Sequence, residues 1–194
     1  MTEPATERRD WTLAYILGAA VAAFAVLAVA TAPVSALLGD SAFAIPSALH
    51  GVSSILYVIV ATMLAYLAYQ MYVGRLERYR EARFLSLAAV FLSSFTILLG
   101  NWIYIAYRDV EGPRAYFLEN EPAVHTVFFE SKEFLALFTL PLSVAAAYML
   151  LKHRHALHDM PRERQATAIL LVLSWLLLVV VFGLGAAITK LRSV

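Results

Sequence analysis

Five apolar segments, separated by short polar links, constrain this chain more than anything else in it. They cover about 11–31, 47–72, 84–107, 123–151 and 166–189, each close to the roughly 20 residues that cross a bilayer as a helix. Inside lipid every backbone polar group must be satisfied within the protein, so such segments fold as helices or not at all. The expected fold is therefore all-α: a polytopic membrane bundle of five transmembrane helices, one domain over residues 1–194. Composition agrees. Of the 194 residues 61% are hydrophobic and 15% charged, against about 25% charged in soluble domains.

Orientation follows from the basic residues. Arg8 and Arg9 precede the first segment, Arg75, Arg78, Arg80 and Arg83 follow the second, and Lys152, Arg154, Arg162 and Arg164 follow the fourth. Alternation of the segments puts these ten of the fifteen Lys and Arg residues on one face. That face is expected to be cytoplasmic, with the N-terminus inside and the C-terminus outside. Ala28-Val29-Ala30 resembles a signal-peptide cleavage site, but the apolar run before it is longer than a signal peptide needs, so the first segment is expected to be a retained helix. The setting implied is a plasma or inner membrane. The net charge of +1 gives no reason to expect a nucleic-acid partner.

The chain has no cysteine. Disulfides, iron–sulfur clusters, thiolate metal sites and covalent haem attachment are thereby excluded. What remains is histidine. His50 follows Pro46-Ser47-Ala48-Leu49, and His125 follows Pro122-Ala123-Val124. Proline favours the first turn of a helix, so both histidines are expected near the outer ends of two outside-to-inside helices, at matched depth. A pair so placed suits the two axial ligands of one haem iron. At helical spacing His50 shares a face with Ser53, Ser54, Tyr57, Ala61 and Ala68. His125 shares one with Phe128, Phe129, Lys132, Ala136 and Ser143. The aromatics suit a flat macrocycle, and Lys132 suits a propionate. Two other readings stand beside this one. Each histidine can be an ordinary polar residue of the headgroup region, or the pair can hold another metal, with Glu130 or Glu133 completing the site.

Glu130, Ser131, Lys132 and Glu133 interrupt the fourth segment. The cluster is either interfacial or, if buried, a proton relay or a quinone head-group site. Asn101 lies at the same expected level, as a hydrogen-bonding link between helices or as a contact to a histidine or ligand. Pro141 is expected to bend the fourth helix. On the cytoplasmic side His155, His158 and Asp159 fall at i, i+3 and i+4 and offer a weaker metal option beside the reading of a basic helix end. Ala48-Leu49-His50-Gly51-Val52 and Ala123-Val124-His125-Thr126-Val127 suggest a parallel internal repeat, whose axis along the membrane normal would turn the histidines toward one another.

With these residues placed, the chain resembles the small membrane-bound b-type cytochromes and the haem-bearing membrane anchor subunits of respiratory enzymes. The resemblance is architectural, covers 47–151 best, and rests on His50 and His125. It implies a redox carrier or quinol-linked oxidoreductase subunit holding one haem b, with Lys132, Tyr57, Phe129 and Asn101 beside the cofactor. The implied partner is a quinol or an outer-surface redox protein. Two readings compete. One is a cofactor-free anchor or assembly subunit, packed against a complex or a second copy through small-residue faces. The other is metal or proton transport through His125, Glu130, Lys132 and Glu133.

Overall fold

Many large apolar side chains lie on the outside of this protein, and a set of small and hydroxylated ones lies within, beside buried leucines. In a computed structural model, residues 43–191 are described. Among them Ile55, Ile59, Leu98, Trp102, Phe134 and Leu137 are more than half exposed. Ser53, Ser86, Ser93, Thr139, Ser143, Thr167 and Ser174 are buried, with a run of alanines. A soluble domain does the reverse. Helices in lipid gain nothing from burying leucine against leucine, so they approach through small residues and hydrogen bonds instead.

All regular structure among the described residues is helical. Four helices are long and apolar enough to cross a membrane. The expected first span, 11–31, with Arg8, Arg9 and the link after it, lies outside the described residues. Helix α1 is Ala44–Tyr72, α2 is Tyr79–Tyr107, and the short α3 is Pro113–Asn120. A π-helical turn, Val124–Phe129, leads into α4, Glu130–His153. A 3₁₀ turn, Arg154–Asp159, precedes α5, Pro161–Leu191.

The spans expected from hydropathy fall inside these helices, which run on past them. Helix α2 starts at Tyr79 rather than 84, and α5 at Pro161 rather than 166. Hydropathy marks only the lipid-contacting stretch, whereas intrahelical hydrogen bonding continues into the polar turns beyond it. At its C-terminus α1 closes in a Schellman motif. Gly74, at φ +75°, donates to Met71 O at 3.1 Å, and Arg75 N donates to Gln70 O at 2.8 Å. Only glycine takes that φ without a Cβ penalty. Pro141 lies within α4, which continues through it.

Each of α1 and α4 packs against both α2 and α5. The four long helices therefore form an up-down ring with α1 diagonal to α4. One end carries the 108–123 connection and is here the His125 end. The other gathers Arg75, Arg78, Arg80, Arg83, Lys152, Arg154, Arg162 and Arg164 and is the arginine-rich end. There Arg164 joins the two connections: its Nη1 donates to His158 O at 2.7 Å, and its Nη2 would lie 3.0 Å from a Cβ on Gly74.

Candidate functional site

The site is built around the far end of α2. After Tyr107 the chain turns at once, and Gly112 folds back so closely that a Cβ there would lie 2.5 Å from Ala106 O and 2.7 Å from Tyr107 O. Pro113 then opens α3, where a missing N–H costs nothing. Phe117, fully buried, fixes α3 against Tyr107, Phe129 and Ile188. This return swings Arg114 over His125.

His125 is buried, at 4% exposure. Arg114 Nε donates to its Nε2 at 3.3 Å. A guanidinium only donates, so Nε2 is the acceptor nitrogen and Nδ1 carries the proton. Nδ1 in turn donates to the Tyr107 hydroxyl oxygen at 2.8 Å. Glu130 Oε1 stands 3.9 Å from Nε2 and is open to the surroundings. Phe129 stacks on Tyr107 with centroids 4.0 Å apart and planes 4° from parallel, and Tyr104 extends the stack. Arg108 lies over Tyr104 at 5.1 Å and Lys132 over Phe129 at 4.7 Å, distances at which a cation is attracted to a ring face.

The π turn explains which aromatics face inward. Its wider turn lines His125 up with Phe129, both buried, and leaves Phe128 about half exposed. The α-helical spacing used for the sequence placed Phe128 on the inner face, and the extra residue in the turn moves it out. Turns of this kind are frequent at functional sites.

His50 belongs to a second cluster. Its Nδ1 donates to Thr96 O at 3.0 Å, and its Cε1 would lie 3.2 Å from a Cβ on Gly100. Thr96 Oγ1 donates to Ser53 Oγ at 3.0 Å. Nδ1–H being committed, Nε2 is the nitrogen left for another group. Lys132 acts electrostatically on this imidazole and on Glu133. Its stem would be 3.8 Å from a Cβ on Gly185. Among the described residues Lys132 makes no ion pair.

The two histidines therefore meet α2 at different levels, Thr96–Gly100 for His50 and Tyr107 for His125. Seven residues between Gly100 and Tyr107 amount to about 10 Å along the axis. The matched depth read from the two prolines is not what forms. Helix α1 begins at Ala44, before Pro46, so His50 sits in its second turn, whereas His125 lies in the opening π turn of its helix. The diagonal placement of α1 and α4 is what a parallel repeat would give, but the histidine partners differ.

Tyr57 lies deeper still. It is 2% exposed, and its hydroxyl meets Ser143 Oγ at 3.1 Å. Ser143 Oγ meets Ser174 Oγ at 3.0 Å, Ser174 Oγ donates to Thr139 O at 3.3 Å, and Thr139 Oγ1 meets Ser93 Oγ at 3.1 Å. All four long helices contribute to this hydroxyl ring. Asn101 is exposed, and among the described residues no hydrogen bond ties it to either histidine.

Tyr107, Arg114, Thr96 and Gly100 were not singled out from the sequence. The acidic link from Arg108 to Pro122 is short enough to fold back over the helix ends, and it does so as a helix, Pro113–Asn120, but nothing local in it points to His125. Among the described residues no group of three or more His, Asp or Glu side chains is placed to hold a metal ion. Glu130 and Glu133 thus do not complete a site with the histidines, and the side chain of His155 lies outside the described residues. A cavity of about 550 Å³ opens near Met63, Arg80 and Phe84, at the arginine-rich end and away from both histidines. The chain matches no family model, curated protein or solved structure.

Proposed function

We propose that this protein is a membrane redox subunit that holds the polar head of a lipid-soluble quinone, or its quinol, between Lys132 and His50 and exchanges protons there. The observation that carries the reading is the half-buried Lys132 ammonium, which acts electrostatically on the His50 imidazole, whose Nε2 makes no hydrogen bond among the described residues, on a bundle whose outer surface suits lipid. A cation and an imidazole together recognise a ring carbonyl or its reduced hydroxyl, and a half-buried cation that makes no ion pair among the described residues favours an oxygen ligand that draws on its charge. The exposed apolar belt gives such a ligand a route from the bilayer. By the positive-inside rule the arginine-rich end faces the cytoplasm and Lys132 and His50 lie toward the outer surface, with 11–31 as a fifth span.

The test is titration of the detergent-purified protein with a short-chain benzoquinone. Saturable binding that weakens at least tenfold in Lys132→Met and in His50→Ala is the expected result. Wild-type protein that binds no quinone, or variants that bind as wild type does, would refute the reading.

A second reading is a single b-type haem between His50 and His125. One observation favours it: His50 Nδ1 is fixed by a backbone carbonyl, the usual way a ligating imidazole is oriented. His125 fits less well. Both of its nitrogens are engaged, so Arg114 would have to release Nε2 and the two levels would have to converge. A dithionite-reduced visible spectrum decides: a sharp α-band lost in both His50→Ala and His125→Ala supports the haem, and a colourless preparation from haem-replete cells removes it. A preparation with neither quinone nor haem would leave the cofactor-free anchor.

A further inference from the structure

The polar interior is not spread evenly along the bundle. From the His125 end inward come Glu130, His125 and Tyr107, then Glu133, Lys132 and His50, then Ser53 with Thr96, then the hydroxyl ring. Beyond the ring it stops. The next buried hydroxyls on α2 and α5 are Ser86 and Thr167, each seven residues from Ser93 and Ser174, or about 10 Å away. Each donates along its own helix, Ser86 to Arg83 O at 2.8 Å and Thr167 to Glu163 O at 2.7 Å. The interval is filled by buried Ala61, Leu64, Ala89, Ala146, Ala147 and Leu171. A proton passes between groups within hydrogen-bond reach, about 3 Å, and among the described residues the buried side chains of this layer offer none; the Trp175 Nε1 to Thr62 Oγ1 bond at its edge, 3.1 Å, lies on the exposed surface.

We infer that Lys132 and His50 exchange protons only with the face at the His125 end, through Glu133, Tyr107, His125 and Glu130, and that Arg114 gates this path at His125. The use of the path rests on the quinone reading above; its existence and sidedness do not. While Arg114 Nε donates to His125 Nε2, that nitrogen cannot take a proton. Movement of Arg114 opens Nε2 toward Glu130, 3.9 Å away. A proton then binds at Nε2 as the Nδ1 proton leaves for the Tyr107 oxygen, and the phenol releases its own proton toward Glu133. One N–H bond forms and one breaks on the imidazole, so it ends neutral. Glu133 acts electrostatically on both Tyr107 and Lys132, and Lys132 on His50; these last transfers run through side-chain movement or a water.

The experiment is proton flux into liposomes, with no quinone present, for wild type and for variants that breach the apolar layer. Ala89→Asp is the first breach and Leu171→Gln the second, used if Ala89→Asp does not give folded, monodisperse protein. Wild type is expected to add no flux over empty liposomes. The breached protein should leak, the leak should fall at least tenfold when His125→Ala or Glu133→Gln is added, and Arg114→Ala should raise it. A leak through wild type, a breached protein that stays tight, or a leak indifferent to His125 and Glu133 would each overturn the inference. Loss of quinone binding with this pattern intact would remove the proposed function and leave the path.

Discussion

Replacing Gly112 by alanine puts one methyl group where the chain folds back on the end of α2. The added Cβ would lie 2.5 Å from Ala106 O, 2.7 Å from Tyr107 O and 3.0 Å from Asp109 O. Carbon and carbonyl oxygen ordinarily approach to about 3.3 Å, so the turn must open by roughly 0.6–0.8 Å. None of the three atoms belongs to a flexible side chain. Ala106 O already accepts from Asp109 N at 3.3 Å, and Asp109 O accepts from Gly112 N at 2.9 Å. The backbone at Gly112, φ −73° and ψ 169°, is open to any residue, so the penalty is steric alone. Overpacking of this kind costs about 1–3 kcal/mol, and three rigid contacts place this case in the upper half. Lower entropy of the unfolded chain returns about 0.4–1 kcal/mol, leaving a net loss near 1.5–2 kcal/mol. For a chain of this size that is a fall of about 3–8 °C in the thermal midpoint, read as loss of helicity in detergent. Gly51→Ala is the control. It sits inside α1 with no atom of the described residues within 4 Å of the added Cβ, and it should hold or raise stability, by up to about 1 kcal/mol. A Gly112→Ala protein as stable as wild type, or a Gly51→Ala protein that falls further, would refute the reasoning.

Two other substitutions test separate parts of the bundle. Tyr57→Phe removes one hydroxyl from the ring and should cost about 0.5–1.5 kcal/mol; Ser174→Ala, which loses bonds to Ser143 and to Thr139 O, should cost more, and equal midpoints for both variants and wild type would show the ring to be idle. At the arginine-rich end Gly74→Ala meets both the penalty of φ +75° and the Arg164 guanidinium. Its cost should shrink but not vanish in an Arg164→Ala background, and strict additivity in a double-mutant cycle would rule out the contact.

Helical periodicity carried much of the fold. Of the face assigned from spacing, Ser53, Tyr57, Ala61 and Ala68 are buried in α1 and His50 and Ser54 are partly so, because a straight α-helix keeps its 3.6-residue phase. The phase argument failed where the helix is not α. Six residues of π-helix at 124–129 turned Phe128 outward, and no residue in that stretch announces the turn. The histidine levels were missed for a related reason. Proline restricts where a helix can start without fixing the start, and α1 gains a turn before His50 from Ala44 and Ile45. Tyr107 and Arg114 reach His125 only because Gly112 reverses the chain, a tertiary fact. The ring was partly legible. Thr139 and Ser143, four residues apart, share one face of α4, while Ser93 and Ser174 are single hydroxyls on their helices' inner faces, with Ser86 and Thr167 seven residues away and outside the ring.

The position of the hydroxyls is a stronger clue than their number. If they served only to hold helices together, every level of the bundle would profit from them, and the layer of Ala61, Leu64, Ala89 and Leu171 would be as good a place as any. Instead Ser86 and Thr167, on the arginine-rich side of that layer, spend their bonds on their own backbones, while Tyr57, Ser93, Thr96 and Ser143, on the other side, bond across helices. The cross-helix hydroxyls also lie on the side that holds His50, Lys132, Glu133 and His125. Packing alone gives no reason for that coincidence. A path that delivers protons to Lys132 and His50 and must not reach the opposite face needs both halves: a polar one that conducts and an apolar one that stops.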